Sequence, residues 1–206
     1  MAAAAAALVQ VAPSLFIWQR YDPTVRAELF STALITPSGI FVVDPIRLER
    51  SQFEQLLEAG RHAAIILTNA NHQRASSWYS KEFSAVIFAA GDVFAGQKPE
   101  QFVQVRDADR IENEIEIIEI EGAVAGEVAL YHARDGGTLI VGDGLINFEP
   151  YGFTFLPRKY CRDEKQMRRS LRKLLDCQAE RIFFAHGQPI LSHGSTRLRR
   201  LLENPR

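Results

Sequence analysis

The stretch Leu67-Thr68-Asn69-Ala70-Asn71-His72-Gln73-Arg74 decides how the rest of the chain is read. It closes the apolar run Ala63-Ala64-Ile65-Ile66-Leu67-Thr68, which has the length of a strand, and crowds polar side chains at its end. Two further segments have the same form. Leu139-Ile140-Val141 runs into Gly142-Asp143-Gly144, and Ile182-Phe183-Phe184 runs into Ala185-His186-Gly187. In α/β proteins the carboxyl ends of strands are where side chains converge on a ligand. Asn69 to Arg74, Asp143 and His186 therefore read as one site assembled from distant parts of the chain.

Leu15–Arg20, Ala27–Thr36 and Gly39–Asp44 read as strands, with Pro37-Ser38-Gly39 as a hairpin turn. Ser51-Gln52-Phe53-Glu54 has the form of a capping box; Phe53, Leu56 and Leu57 give the helix after it a buried face, and Gly60 stops it. Ala75–Phe83 reads as a helix and Ala85–Phe88 as a strand. In the second half, Ile115–Ile120, Glu127–His132, Thr138–Val141 and Arg181–Phe184 read as strands. Asp163–Asp176 and a segment from Thr196 read as helices. Pattern alone gives α/β or α+β.

The chain has 206 residues, 47% apolar and 24% charged, as a single globular domain requires. Residues 14–206 are read as that domain. Residues 1–13, opening with Met1 and six alanines, are read as a fraying tail, because no basic segment precedes an apolar one as in a signal peptide. No apolar run approaches the ~20 residues of a membrane span. Cys161 and Cys177 flank a helix about 20 Å long at ~1.5 Å per residue, whereas a disulfide spans at most ~7 Å between Cα atoms. Two reduced thiols point to the cytoplasm. The net charge is -1, but residues 151–206 hold 13 Lys and Arg against 5 Asp and Glu. Arg168, Arg169, Arg172 and Lys173 lie opposite one leucine stripe, and Arg197, Arg199 and Arg200 opposite another. Solvated helix faces are the plainer reading. An anionic small molecule or a homodimer joining acidic to basic parts is the sharper one. Nucleic acid is disfavoured, since no aromatic interleaving accompanies the charge.

The three strand-end segments resemble the metallo-β-lactamase superfamily, whose signature runs L-T-H-x-H-x-D-H, later G-D, and finally G-H-G. Leu67–Arg74, Gly142-Asp143-Gly144-Leu145 and Ala185-His186-Gly187-Gln188-Pro189 occupy those places in order. Glu121–Tyr131 resembles the family's P-G-H-T-x-G-S-x-x-L-Y segment, and Phe41-Val42-Val43-Asp44-Pro45 its early strand ending in aspartate. The resemblance covers about Leu15 to Leu202. It implies an αββα sandwich: two mixed β-sheets face to face, with helices on the outer faces.

What the resemblance implies for chemistry is loss. In the family, three histidines bind one metal, an Asp-His pair and the last histidine bind a second, and the G-D aspartate bridges both. Those places here hold Asn69, Asn71 and Ala123; Gln73, Arg74 and His186; and Asp143. Side-chain amides are poor zinc ligands, alanine is none, and arginine brings a fixed positive charge. No dinuclear zinc centre is expected. An Arg74–Asp143 salt bridge is expected in its stead, with Asn69, Asn71 and Gln73 completing a polar network and His186 nearby.

Three functions follow from these residues. The first is a degenerate member of the fold, acting as a binding or regulatory module or an atypical enzyme, with no cofactor. The second is a hydrolase holding one zinc or other divalent transition metal on Asp143 and His186, with His72 as third ligand. The third is a metal-free acid–base enzyme using a His186–Asp143 dyad with an imidazole near neutrality. His72 falls at a variable place of the signature. His132 reads as a satisfied core histidine, His62 as solvated, and His193 as a turn residue.

Overall fold

The computed structural model describes residues 8–60 and 62–203. The first sheet contains β1 (Val9–Ala12), β2 (Leu15–Asp22), β3 (Ala27–Thr36), β4 (Gly39–Val43), β5 (Ala63–Ile66), β6 (Val86–Ala89) and β7 (Phe102–Gln104), hydrogen-bonded in that order. β1 to β4 are antiparallel neighbours, and β4 to β7 run parallel. The second sheet brings together β8 (Arg110–Ile111), β9 (Ile115–Glu119), β10 (Val128–His132), β11 (Thr138–Val141) and β14 (Arg181–Phe184). Here β14 lies parallel to β11 at one edge. A separate hairpin, β12 (Leu145–Phe148) with β13 (Gly152–Phe155), follows β11.

Side-chain alternation builds the layers. On β4, Phe41 and Val43 point between the sheets, while Ile40 and Val42 point outward. On β14, Phe183 points between the sheets and Ile182 and Phe184 outward. The inner layer joins Leu34, Phe41, Val43 and Ile66 to Ile117, Val128, Leu130 and Ile140. Over the outer face of the first sheet, helices α1 (Arg50–Glu58) and α2 (Ser76–Phe83) bury Phe53, Leu56 and Tyr79. Over the second, α3 (Glu164–Ser170) and α4 (Gly194–Glu203) bury Met167, Leu198 and Leu202. The result is the αββα sandwich that the resemblance implied. No helix among the described residues is long and apolar enough to cross a membrane.

Several expectations need correction. Of the tail at residues 1–13, positions 1–7 lie outside the described residues, but Val9–Ala12 is paired with β2 as β1. The capping box is not formed: Ser51 lies inside α1, Glu49 holds the cap position without a side-chain bond, and Arg50 instead pairs with Glu54 at 3.0 Å. The helix read as Asp163–Asp176 is α-helical only to Ser170 and tightens into a 3-10 helix over Leu171–Asp176. Its start is capped by Asp163, which accepts from the Gln166 N–H. Cys161 and Cys177 are both free thiols. His132 is buried but not satisfied. Its Nε2 has no hydrogen-bond partner, and the nearest carboxylate oxygen, on Glu114, is 3.7 Å away.

Leu171 and Leu191 offer a direct test of where the stability lies. Leu171 is fully buried beneath the second sheet, whereas Leu191 is 54% exposed. Leu171→Ala is expected to lower the unfolding free energy by about 2–5 kcal/mol, the usual range for a core truncation, and Leu191→Ala by less than about 0.5 kcal/mol. Urea denaturation followed by circular dichroism measures both.

Candidate active site

Asp44 closes β4 in a left-handed backbone conformation (φ 49°), uncommon for a residue with a side chain. Its buried carboxylate accepts from the Thr68 N–H at 2.8 Å and from the Thr68 hydroxyl at 2.6 Å. The same oxygen that takes the hydroxyl lies 3.0 Å from His72 Nδ1. Thr68 Oγ1 also lies 2.8 Å from that nitrogen. With the hydroxyl hydrogen committed to Asp44, the proton between Thr68 and His72 belongs on Nδ1. His72 Nε2 is then left to face the opposite way.

It faces Asp143 and His186. His72 Nε2 is 3.3 Å from Asp143 Oδ1 and 3.4 Å from His186 Nε2, and His186 Nε2 is 3.4 Å from Asp143 Oδ1. These three atoms form a nearly equilateral triangle, long for hydrogen bonds. Ligand atoms ~2.0–2.1 Å from a tetrahedral zinc lie about 3.4 Å from one another, so the triangle has the dimensions of three tetrahedral corners. The donor set, two imidazoles and a carboxylate, suits zinc or a related transition metal. His72, Asp143 and His186 are thus a candidate metal group, and the Asp44 carboxylate behind His72 is the outer support such a ligand normally has.

The backbone permits this approach at two glycines. A Cβ at Gly142 would stand 2.6 Å from Thr68 Oγ1 and 2.8 Å from Glu127 Oε1. Gly187, at φ 94°, lets the chain after His186 press against the Asn147 carbonyl. Solvent reaches the cluster chiefly from the His186 side, whose side chain is 18% exposed against 2% for His72.

Charge divides the two histidines. Burial disfavours a cation at His72, but Asp143 and Asp44 outweigh it and raise its pKa to about 9. Burial wins at His186 and pushes it down to about 4 despite Asp143. Asp143 is held below the usual carboxylate range: burial opposes its charge, and the two histidines and Arg74 more than compensate. Glu127 moves the other way. Burial and then Asp143 raise it to about 8.

The remaining sequence-derived site residues scatter. Asn69 is fully buried and belongs to the site; its Nδ2 donates to Asp143 Oδ2 at 3.1 Å and to Glu127 Oε2 at 2.6 Å. Asn71 is exposed and contributes only its backbone N–H, to Asn69 Oδ1. Gln73 turns away and donates to the Val93 carbonyl at 3.1 Å. Ala123 is packed in the core under the second sheet. Arg74 overturns the expected salt bridge: no ion pair joins it to Asp143 among the described residues, because its guanidinium is spent on backbone carbonyls. It donates to Phe30 at 2.7 Å, Asp44 at 2.9 Å and Ala185 at 3.2 Å. Its backbone is left-handed (φ 38°), which swings the side chain under the strand ends. Asp44, Thr68 and Glu127 are absent from the sequence-derived site. The placement of Asp44 at a strand end is the one signal available; Glu127 sits beside an apolar strand with nothing to mark it as buried.

Two mixed sheets packed face to face, with a His/Asp cluster where the ends of β5, β11 and β14 meet, define an αββα protein with its site at the sheet ends. The chain belongs to the metallo-beta-lactamase superfamily, whose profile matches residues 9–204. Similar solved structures include the DIM-1 metallo-beta-lactamase exposed to ceftazidime, with a TM-score of 0.76, 13% identity and 99% of each chain covered. A metallo-beta-lactamase family protein from Thermus thermophilus has a TM-score of 0.67 and 18% identity, over 94% of this chain and 80% of that one. The metallo-beta-lactamase from Pontibacter korlensis gives 0.71 and 13%, over 96% and 98%. No curated protein sequence matches the chain.

Arg74→Lys is expected to destabilise the fold by on the order of 3 kcal/mol, since an ammonium cannot reproduce three spread hydrogen bonds, each worth roughly 1.5–3 kcal/mol when charge-assisted. Thermal and urea unfolding check this, and a loss below about 1 kcal/mol would contradict the assigned role.

Proposed function

We propose that this protein is a metal-dependent hydrolase with a single metal site on His72, Asp143 and His186, its family's two-ion centre having been reduced to one. The observation that carries this reading is the triangle of donor atoms 3.3–3.4 Å apart. Three protein ligands with one position open is the arrangement of catalytic rather than structural zinc. A divalent ion there supplies Lewis acidity toward a carbonyl or phosphoryl oxygen. The chain's own residues do the rest. Asp44 and Thr68 fix the His72 ring, Asp143 offers Oδ1, and His186 presents a neutral imidazole at the solvent side.

A second reading rests on charge. With His72 raised to about 9 between Asp44 and Asp143, and Arg74 close by, the cluster neutralises itself without an ion. That supports a metal-free binding or regulatory module. The metal-free acid–base reading is less well supported, because a His186 pKa of about 4 is poorly matched to proton transfer near neutrality.

An anionic substrate is part of the proposal. Arg168, Arg197 and Arg200 line a groove of about 730 Å³ with Tyr151, Phe153 and Phe155, beside the β12–β13 hairpin. Asn147 of that hairpin bridges to Gly187, next to His186. The free thiols support a reducing compartment, and we place the protein in the cytoplasm.

Protein purified without added metal, then titrated with zinc or manganese, is expected to take up one ion per chain, and His72→Ala to abolish tight binding. Two ions per chain would refute the single-site reading; none at any accessible concentration would favour the metal-free module. Once a hydrolysed substrate is found by screening β-lactams, thioesters and phosphodiesters, Arg197→Glu with Arg200→Glu is expected to raise KM about tenfold or more with kcat little changed. An unchanged KM would remove the groove from substrate binding.

A further inference from the structure

We infer that Glu127 is a positioning residue that, through Asn69 and the Gly144 backbone, clamps Asp143 so that Oδ1 is presented to His72 and His186; the inference builds on the single-metal reading. Glu127 is 2% exposed and stands at the entry to β10. No lysine, arginine or histidine forms an ion pair with it among the described residues. A buried carboxyl group without such a partner is costly, protonated or not, and its two hydrogen-bonded neighbours say what it is for. Oε2 accepts from Asn69 Nδ2 at 2.6 Å, and Oε1 accepts from the Gly144 N–H at 2.8 Å. Both partners lead to Asp143, one through a side chain and one through the adjoining peptide.

Asn69 is the movable half of the clamp and is held in one orientation. Its Oδ1 accepts from the Asn71 N–H at 2.9 Å, so the amide cannot flip without losing that bond. Its two Nδ2 hydrogens are then shared between Glu127 Oε2 and Asp143 Oδ2. With Oδ2 engaged by the amide, Oδ1 is the Asp143 oxygen that meets the two imidazoles. The glycines on either side of Asp143 make room for this: a Cβ at Gly142 would stand 2.8 Å and 3.0 Å from the two Glu127 oxygens. At Gly144 it would stand 3.5 Å from Oε1.

The clamp requires an acceptor at both ends of the Glu127 side chain, which a carboxyl group offers whether or not it is protonated, since its hydroxyl oxygen keeps a lone pair, and Glu127→Gln tests that requirement with almost no change in volume. A glutamine has one oxygen, so its NH2 must confront either Asn69 Nδ2 or the Gly144 N–H. Zinc affinity by calorimetry is expected to fall about 10- to 100-fold, the usual effect of losing an outer support of a metal ligand. In metal-free protein, the Gly144 amide or Asn69 side-chain NMR signals are expected to move upfield as one bond breaks. Unchanged affinity together with unchanged signals would mean that Glu127 only fills space, and would overturn the inference. Should the wild type bind no zinc, the single-metal proposal fails, while the metal-free signals still decide the clamp. Asn69→Ala reads the link from its other end if the glutamine variant does not fold. Affinity equal to wild type there would likewise overturn it.

Discussion

The Asp44 carboxylate is the contact on which the site depends. Its oxygens engage the backbone and hydroxyl of Thr68 and the ring of His72, while its own carbonyl accepts from Ser31 and Arg74. One residue thereby joins β3, β4, the end of β5 and the turn that carries His72. A buried carboxylate is tolerated only when its lone pairs are filled and an opposite charge lies near, and both conditions are met by residues it orients. Its pKa is lowered even though burial alone would raise it, because His72 and Arg74 stand close. Without it, the His72 ring loses the charged partner at Nδ1 that orients Nε2 toward Asp143.

The turn after β5 explains why family positions and chemical roles part company. A sequence reading carried over by position expects 69, 71, 73 and 74 to face the site. In the structure Asn69 accepts from the Asn71 N–H and opens a 3-10 helix over Ala70–His72. Side chains three apart share a face in that helix, so Asn69 and His72 point inward together, and Asn71 goes to solvent. Imidazole is therefore supplied from a position between the expected ones.

Strands of alternating or continuous apolar character, β3, β11 and β14 among them, are legible in the sequence to the residue, since each is bounded by turn signals or a glycine. Their polar ends mark Asp143 and His186. Less accessible are β7, β8 and the β12–β13 hairpin, which are short and held by neighbours rather than by their own pattern. The direction of Arg74 and the burial of Glu127 are not legible at all. Both depend on carbonyls and N–H groups from strands far away in sequence, and no local pattern encodes such partners.

Arg74 also bears on whether position 74 could carry a metal ligand. Its guanidinium ties Phe30 and Asp44, from the first sheet, to Ala185, from the end of β14 in the second. A histidine has at most two N–H donors on a short ring and cannot hold all three carbonyls. Placing a histidine at 74 would therefore undo a strap between the two halves of the sandwich. Ala123, sealed in the core, leaves no room for an imidazole at its position either. Packing and hydrogen bonding, not the absence of an imidazole alone, thus keep positions 74 and 123 from serving as metal ligands in this fold.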